Sequence, residues 1–229
     1  MTFEELEEKV FDMQGRGIKE VDFHRHSNGG GWVENTARVE ESVYVGPNAC
    51  VLGYAQVLEN ASLDGQACVL DDAEVFGNAK VLDNTIVYES ARIFGNAEVS
   101  KLSSIGGNAK IFGYAKIGYM HLESGEWKNT SLQYSTAGDR LRISQSDKGY
   151  SSVLVNDTVW TCSHKSWMGK EGEKLLKDAG FSDSEVSECR KYVWKIIVEE
   201  KKNQLIAEAR RNIRNVTQKV TQKLGMRMG

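Results

Sequence analysis

A branched aliphatic residue returns at every sixth position from Val33, and the residues between these marks are polar, small or glycine. In that frame the chain reads VENTAR, VEESVY, VGPNAC, VLGYAQ, VLENAS, LDGQAC, VLDDAE, VFGNAK, VLDNTI, VYESAR, IFGNAE, VSKLSS, IGGNAK, IFGYAK and IGYMHL. All fifteen units begin with Val, Leu or Ile. The fifth position is Ala in eleven of the first fourteen, with Val43, Thr85 and Ser103 as the exceptions. Residues two apart on a strand share a face, so positions 5 and 1 point inward and positions 6 and 2 outward. Gly-Asn, Asp-Asn and Gly-Tyr at positions 3 and 4 suit a corner with positive φ. Three units close a triangular coil of eighteen residues. Fifteen units therefore predict about five coils, rising roughly 24 Å at ~4.8 Å per rung.

Residues eighteen apart then stack. Leu58, Phe76, Phe94 and Phe112 form one outward ladder, and Leu52, Leu70 and Tyr88 form another. An exposed ladder of three phenylalanines and a leucine is a patch that monomers rarely leave open, so we expect the C-terminal region or another subunit to cover it. Charges agree with the register: Glu74 lies below Arg92, and Lys80, Glu98 and Lys116 alternate in sign up one edge. Cys50 stacks on Cys68 at an outward position. The spacing is compatible with a disulfide, and we read the pair as reduced thiols.

The frame resembles the hexapeptide-repeat left-handed parallel β-helix superfamily over residues 33–118. The left hand comes from that resemblance, since general chirality favours right-handed crossovers. The resemblance implies acyltransferases or nucleotidyltransferase fusions, with a minority of zinc-dependent carbonic anhydrases. The acyltransferases need a His base at a subunit cleft and often a loop protruding from the coils. Here no His lies between Val33 and Gly118 and no loop breaks the frame, and the three His ligands of the anhydrases are missing.

Four histidines lie outside that stretch. His24 and His26 form an H-x-H pair without a third ligand nearby. His121 falls on the small inward position of the last unit, which an imidazole does not fit, and so marks the end of the coils. His164, beside Cys162, suggests a Cys/His dyad but has no orienting partner in the sequence. His121 and His164 are the only catalytic candidates, and both are weak. SNGGG at 27–31 lacks the preceding strand and the Gly-Lys-Ser ending of a phosphate loop and reads as a hinge.

The fold class expected is mainly β: a left-handed parallel β-helix of about five triangular coils, with a small antiparallel β unit and C-terminal helices. Residues 1–32 read as a capping helix and connector. Residues 2–14 are amphipathic, with a Thr2–Glu5 capping box and Phe3, Leu6 and Val10 on one side, placed to close the lower end of the prism. The segment 24–32, HRHSNGGGW, reads as a flexible connector. Residues 33–118 are the β-helix. Residues 119–165 alternate with period two in LQYST, RLRISQ, YSSVLV and TVWTC, with turns at 147–149 and 156–157; Trp127, Trp160 and Trp167 are expected in the core of this unit. Residues 166–229 are helical, from Lys170 to Ala179 and from an N-cap at Ser184 to about Leu224.

In the last helix Ile206, Ala209, Ile213, Val216 and Val220 follow a 3-4-3-4 spacing, a short coiled-coil seam whose isoleucines favour more than two strands. Charge changes the picture here. The 229 residues carry a net −3, but residues 201–229 hold eight Lys or Arg against Glu208 alone, a net +7 set against −10 for the rest. Arg210, Arg211, Arg214 and Lys219 are the anion-binding candidates, for a nucleotide, a nucleic acid or the acidic body of a neighbouring subunit. The coils followed by VWTCSHKSW and a helical pair containing KYVWKII resemble, over roughly residues 130–198, an accessory architecture of bacteriophage and prophage hexapeptide proteins. That resemblance implies a phage-encoded protein in the host cytoplasm.

Twenty-two glycines stand against one proline, Pro47, and the four cysteines have neither CxxC nor metal-finger spacing. No stretch approaches eighteen apolar residues and the first residues are acidic, so a cytoplasmic protein without membrane contact is expected. The functional expectation is a non-enzymatic homo-oligomeric binding or scaffold protein, a trimer, acting on a host protein or an anionic nucleotide, with no cofactor or metal. The alternatives are an acyl-CoA-dependent acyltransferase with its base at His121 or His164, and nucleic-acid binding through the basic helix.

Overall fold

The structure is a computed structural model that describes residues 1–128, 131–133, 141–145, 150–155 and 158–225. Its centre is a three-faced parallel β-helix. Among the described residues two faces carry six parallel strands each and the first face carries seven, from Trp32–Glu34 at the bottom to Leu141–Gln145 at the top. On the first face Val33, Val51, Val69, Val87 and Ile105 pair rung upon rung at eighteen-residue spacing. All are buried, as are the alanines from Ala49 to Ala115 that fill position 5. The two hydroxyl exceptions are tolerated because they are satisfied: Thr85 donates to the Lys101 carbonyl and Ser103 to the Ser100 carbonyl at 2.7 Å.

Corners turn on a residue with positive φ at position 3. Gly53, Gly65, Gly77, Gly95, Gly107 and Gly113 take it, but so do Glu59, Asp71, Asp83, Glu89, Lys101 and Tyr119. Several of the acidic ones use their side chains to join rungs: Asp71 accepts from the Glu89 amide, Asp83 from the Lys101 amide and Glu89 from the Gly107 amide, at 3.1, 2.9 and 2.7 Å. Those bonds offset part of the cost of a left-handed non-glycine residue.

The parallel pairing continues past Gly118. Ile105 pairs with Leu122, Ile111 with Trp127 and Ile117 with Leu132, so the rung shortens by one residue at each successive face. Of the strands read as an antiparallel unit, Ser131–Gln133 belongs to the column. Residues 134–136 and the two turns at 147–149 and 156–157 lie outside the described residues. Leu141–Gln145, Tyr150–Val155 and Thr158–Ser163 are antiparallel to one another, while Leu141–Gln145 itself pairs parallel with Met120–Leu122, Met120 opposite Ile143, and so extends the first face.

Two expectations about the N-terminus are corrected. Helix α1 (Phe3–Gln14) has the capping box between Thr2 and Glu5, but it lies along the flank of the first face instead of closing the lower end. Leu6 and Val10 bury there against Cys50, Leu52, Cys68 and Leu70, an outward apolar strip that would otherwise face water. The edge of the first coil is covered by the segment expected to be a flexible hinge. Phe23–Arg25 pairs antiparallel with Trp32–Glu34, and the turn between them bonds to the edge strand Tyr44–Val45, with Val45 N–H donating to Asn28 and Gly31 N–H to Val45.

The upper end is closed by α2 (His164–Met168), α3 (Lys170–Asp178) and α4 (Asp183–Gly225). Trp167, Leu176, Phe181, Val186, Cys189, Val193 and Ile196 are buried in one cluster with Met120, Leu122 and Trp127 of the last rung. The α4 N-cap is Ser182 and not Ser184: its hydroxyl accepts from the Glu185 amide, and Glu185 accepts from the Ser182 amide at 2.8 Å. No helix among the described residues is long and apolar enough to cross a membrane.

Candidate functional site

The outward ladders on the column have different fates. Leu52 and Leu70 are covered by α1. Leu58, Phe76, Phe94 and Phe112 are only half-buried, at the corner that follows the second face. The rings of Phe76 and Phe94 lie 4.9 Å apart and inclined by 2°, those of Phe94 and Phe112 4.9 Å apart and inclined by 9°. Cations border the stack: the Arg92 guanidinium sits 5.4 Å from the Phe76 centroid and the Lys128 ammonium 5.9 Å from that of Phe112. Arg92 is itself held by Glu74 at 2.7 Å. Beside the rings Asn60, Asn78 and Asn96 form a second ladder, with Asn78 donating to Asn96 at 3.1 Å.

His121 is the second feature. The frame assigns it to the inward position, and the structure corrects this: the shortened corner pairs His121 with Ser104, so the imidazole faces outward and Leu122 takes the core. Its Nε2 lies 2.8 Å from Glu123 Oε1 and 3.4 Å from the Tyr88 hydroxyl. The Tyr88 ring lies over Gly106, where a Cβ would come within 2.3 Å of it. Burial pushes the Tyr88 phenol up, with Glu123 and Glu89 adding to the effect against a hydrogen bond from Ser104. A shallow groove of about 470 Å³ runs from Tyr88 and Ser104 to Met13 and Gln14 of α1. Beside the Glu123 carboxylate Nε2 is the donor, so in the neutral ring Nδ1 is the acceptor. Sequence reasoning placed Tyr88 on an outward ladder but connected neither it nor Glu123 to His121; the signal lay in the five-residue corner, which only pairing reveals.

The other predicted residues are dispersed. His164 opens α2 and its side chain, like that of Cys162, lies outside the described residues. His24 and His26 are separate: His24 Nδ1 meets Asn35 at 2.9 Å, and buried His26 meets the Val43 carbonyl. No group of three potential metal ligands occurs among the described residues. Along α4, Ile206 is half-buried, Ala209 is exposed and Ile213 is 66% exposed; the side chains of Val216, Lys219 and Val220 lie outside the described residues. Arg211 and Arg214 are exposed, whereas Arg210 pairs with Glu126 on the top rung at 3.2 Å. Arg210 holds the Glu126 carboxyl below the usual carboxylate range against the opposing effect of burial, with a lesser contribution from Lys110.

No family model matches the sequence, and no curated protein matches it either. Among solved structures, the chain is similar to a hexapeptide transferase family protein from Anaplasma phagocytophilum at 9% identity and a TM-score of 0.39, covering 74% of this chain and 91% of that one. The unbroken six-residue frame and the three stacked faces it builds make this chain a hexapeptide-repeat parallel β-helix.

Proposed function

We propose that the protein is a self-associating binding scaffold in which the column is a rigid rod and the Phe76–Phe94–Phe112 ladder is a contact between subunits. One observation carries this reading: the chain covers one outward apolar ladder with its own helix and leaves the other, three stacked phenyl rings, half-exposed. A second copy is the occupant that the charges suit. The basic end of α4 carries exposed Arg211 and Arg214, while the first 200 residues have a net charge of −10. Ile206, Ala209 and Ile213 give α4 an apolar stripe for the same assembly, with a trimer as its expected size. Arg211 and Arg214 at such a junction suit an anionic ligand such as a nucleotide. Light scattering on the full chain and on Phe94→Asp tests the proposal. A trimer that falls to smaller species on substitution supports it; a monodisperse monomer in both overturns it.

A second reading rests on His121. An outward imidazole oriented by a carboxylate beside a groove suits a general base, and the superfamily resemblance supplies acyl transfer as the reaction. Saturable stabilisation by CoA or acetyl-CoA in a thermal-shift assay, lost in His121→Ala, favours this reading; the absence of any shift favours the scaffold.

A further inference from the structure

We infer that Cys50 and Cys68 form a reversible dithiol–disulfide couple, a redox modification site covered by α1. The two residues are direct register partners on neighbouring parallel strands, both at position 6 of their units, and their Sγ atoms lie 2.7 Å apart. Parallel strands about 4.8 Å apart place such Cα atoms inside the range a disulfide spans, so the bond needs no backbone rearrangement. Both thiols are fully buried beneath Leu6 and Val10. Lys9 of α1 is fixed nearby, its ammonium donating to the Gln66 carbonyl at 2.8 Å.

The pair is chemically unequal. The hydrogen bond shared with Cys68 draws the Cys50 thiol down against burial, and Lys9 assists, while burial and the neighbouring Cys50 push Cys68 well up. Cys50 is therefore the first to ionise and the attacking sulfur. A hydroperoxide is the oxidant that fits, being small enough to enter when α1 lifts locally. The Cys50 thiolate attacks one peroxide oxygen, the O–O bond breaks, and the departing oxygen takes a proton and leaves as water, or as an alcohol from an organic peroxide. Cys68 then attacks the sulfur of the resulting sulfenic acid. The S–S bond forms, the S–O bond breaks, and the hydroxide leaves as water with the proton of Cys68. Two electrons pass from the sulfur pair to the peroxide, and an external dithiol reverses the process by exchange. Cys189 is the internal control: it is buried, and burial pushes its thiol up to about 12.

The experiment treats the native full-length chain with hydrogen peroxide, denatures it without reductant, alkylates it and maps the peptides by mass. The expected result is a linked pair of peptides containing Cys50 and Cys68, lighter by two hydrogen atoms, unalkylated, and freed by dithiothreitol, with Cys189 alkylated throughout. In Cys68→Ser, dimedone is expected to label Cys50. Alkylation of both thiols after oxidant, stable sulfinic or sulfonic acids in place of the link, or pairing with Cys162 instead would overturn the inference.

Discussion

Phe76 and Phe94 lie face to face, centroids 4.9 Å apart, because the coil repeats in eighteen residues and each ring leaves its strand in the same direction. Phe112 continues the stack on the other side of Phe94, so the middle ring has two aromatic neighbours. Phe94→Ala removes both contacts and a half-buried phenyl group. Aromatic pairs contribute about 0.5–1.5 kcal/mol each beyond area, so a loss of about 2–3 kcal/mol is expected. Urea unfolding checks this, run at low protein concentration to keep association apart from stability. Leu58→Ala, at the end of the ladder without a ring partner, should cost less.

Corners offer a paired test of opposite sign. Gly95 has φ +74°, and a Cβ there would meet the Gly113 amide nitrogen at 3.1 Å. Gly95→Ala should therefore destabilise by about 1–2 kcal/mol. Glu59 occupies the equivalent corner position with φ +61° and an exposed side chain. Glu59→Gly relieves about 1–2 kcal/mol of left-handed strain and adds a smaller entropy cost of about 0.4–1 kcal/mol, for a net gain of roughly 0.5 kcal/mol. The two denaturant midpoints should move in opposite directions; a drop for Glu59→Gly would show that its corner is not strained.

What the sequence discloses and what it hides follow from how local each signal is. Val33 to Ile117 are legible because an inward position in a solenoid repeats at fixed spacing, and neighbouring rungs impose the same constraint on every unit. The last rung is not, since its spacing contracts at each face and Trp127 and Leu132 fall out of frame. That contraction also hid the orientation of His121, which a one-residue slip turns from core to surface. Leu6 and Val10 announce an apolar helix face but not its destination, because amphipathicity states that a face is buried without naming the partner. Tyr88 and His121 are thirty-three residues apart and meet only through pairing.

The Glu126–Arg210 pair ties α4 to the top rung and gives a pH-dependent increment. The folded carboxyl titrates below its unfolded value, so the contribution is complete above the unfolded pKa near 4.3 and is lost as pH falls through the lower folded value. Arg210 is 65% exposed, which limits the increment to about 0.5–1 kcal/mol. Thermal unfolding between pH 3 and 7 should show a drop on the acid side that is shallower in Glu126→Gln. Identical profiles for the two proteins would mean that the pair is absent in solution.

Helix α1 is attached to the column by Leu6 and Val10, both fully buried, and by exposed polar tethers such as Lys9 to Gln66 and the N-terminal amine to Asn48. Leu6→Ala removes a buried leucine, at a typical cost of about 2–5 kcal/mol. Most of that loss should fall on the attachment of α1, since Leu6 packs with the outward strip and not with the alanine and valine column. A segment held this way opens locally with a smaller free energy than the whole fold. Leu6→Ala should then speed labelling of Cys50 and Cys68 by a thiol reagent, at native pH and without denaturant, by a factor on the order of tens or more. Buried Cys189, at the opposite end of the column, should keep its wild-type rate. Equal acceleration at Cys189 would mean that α1 and the column unfold together, as one cooperative unit.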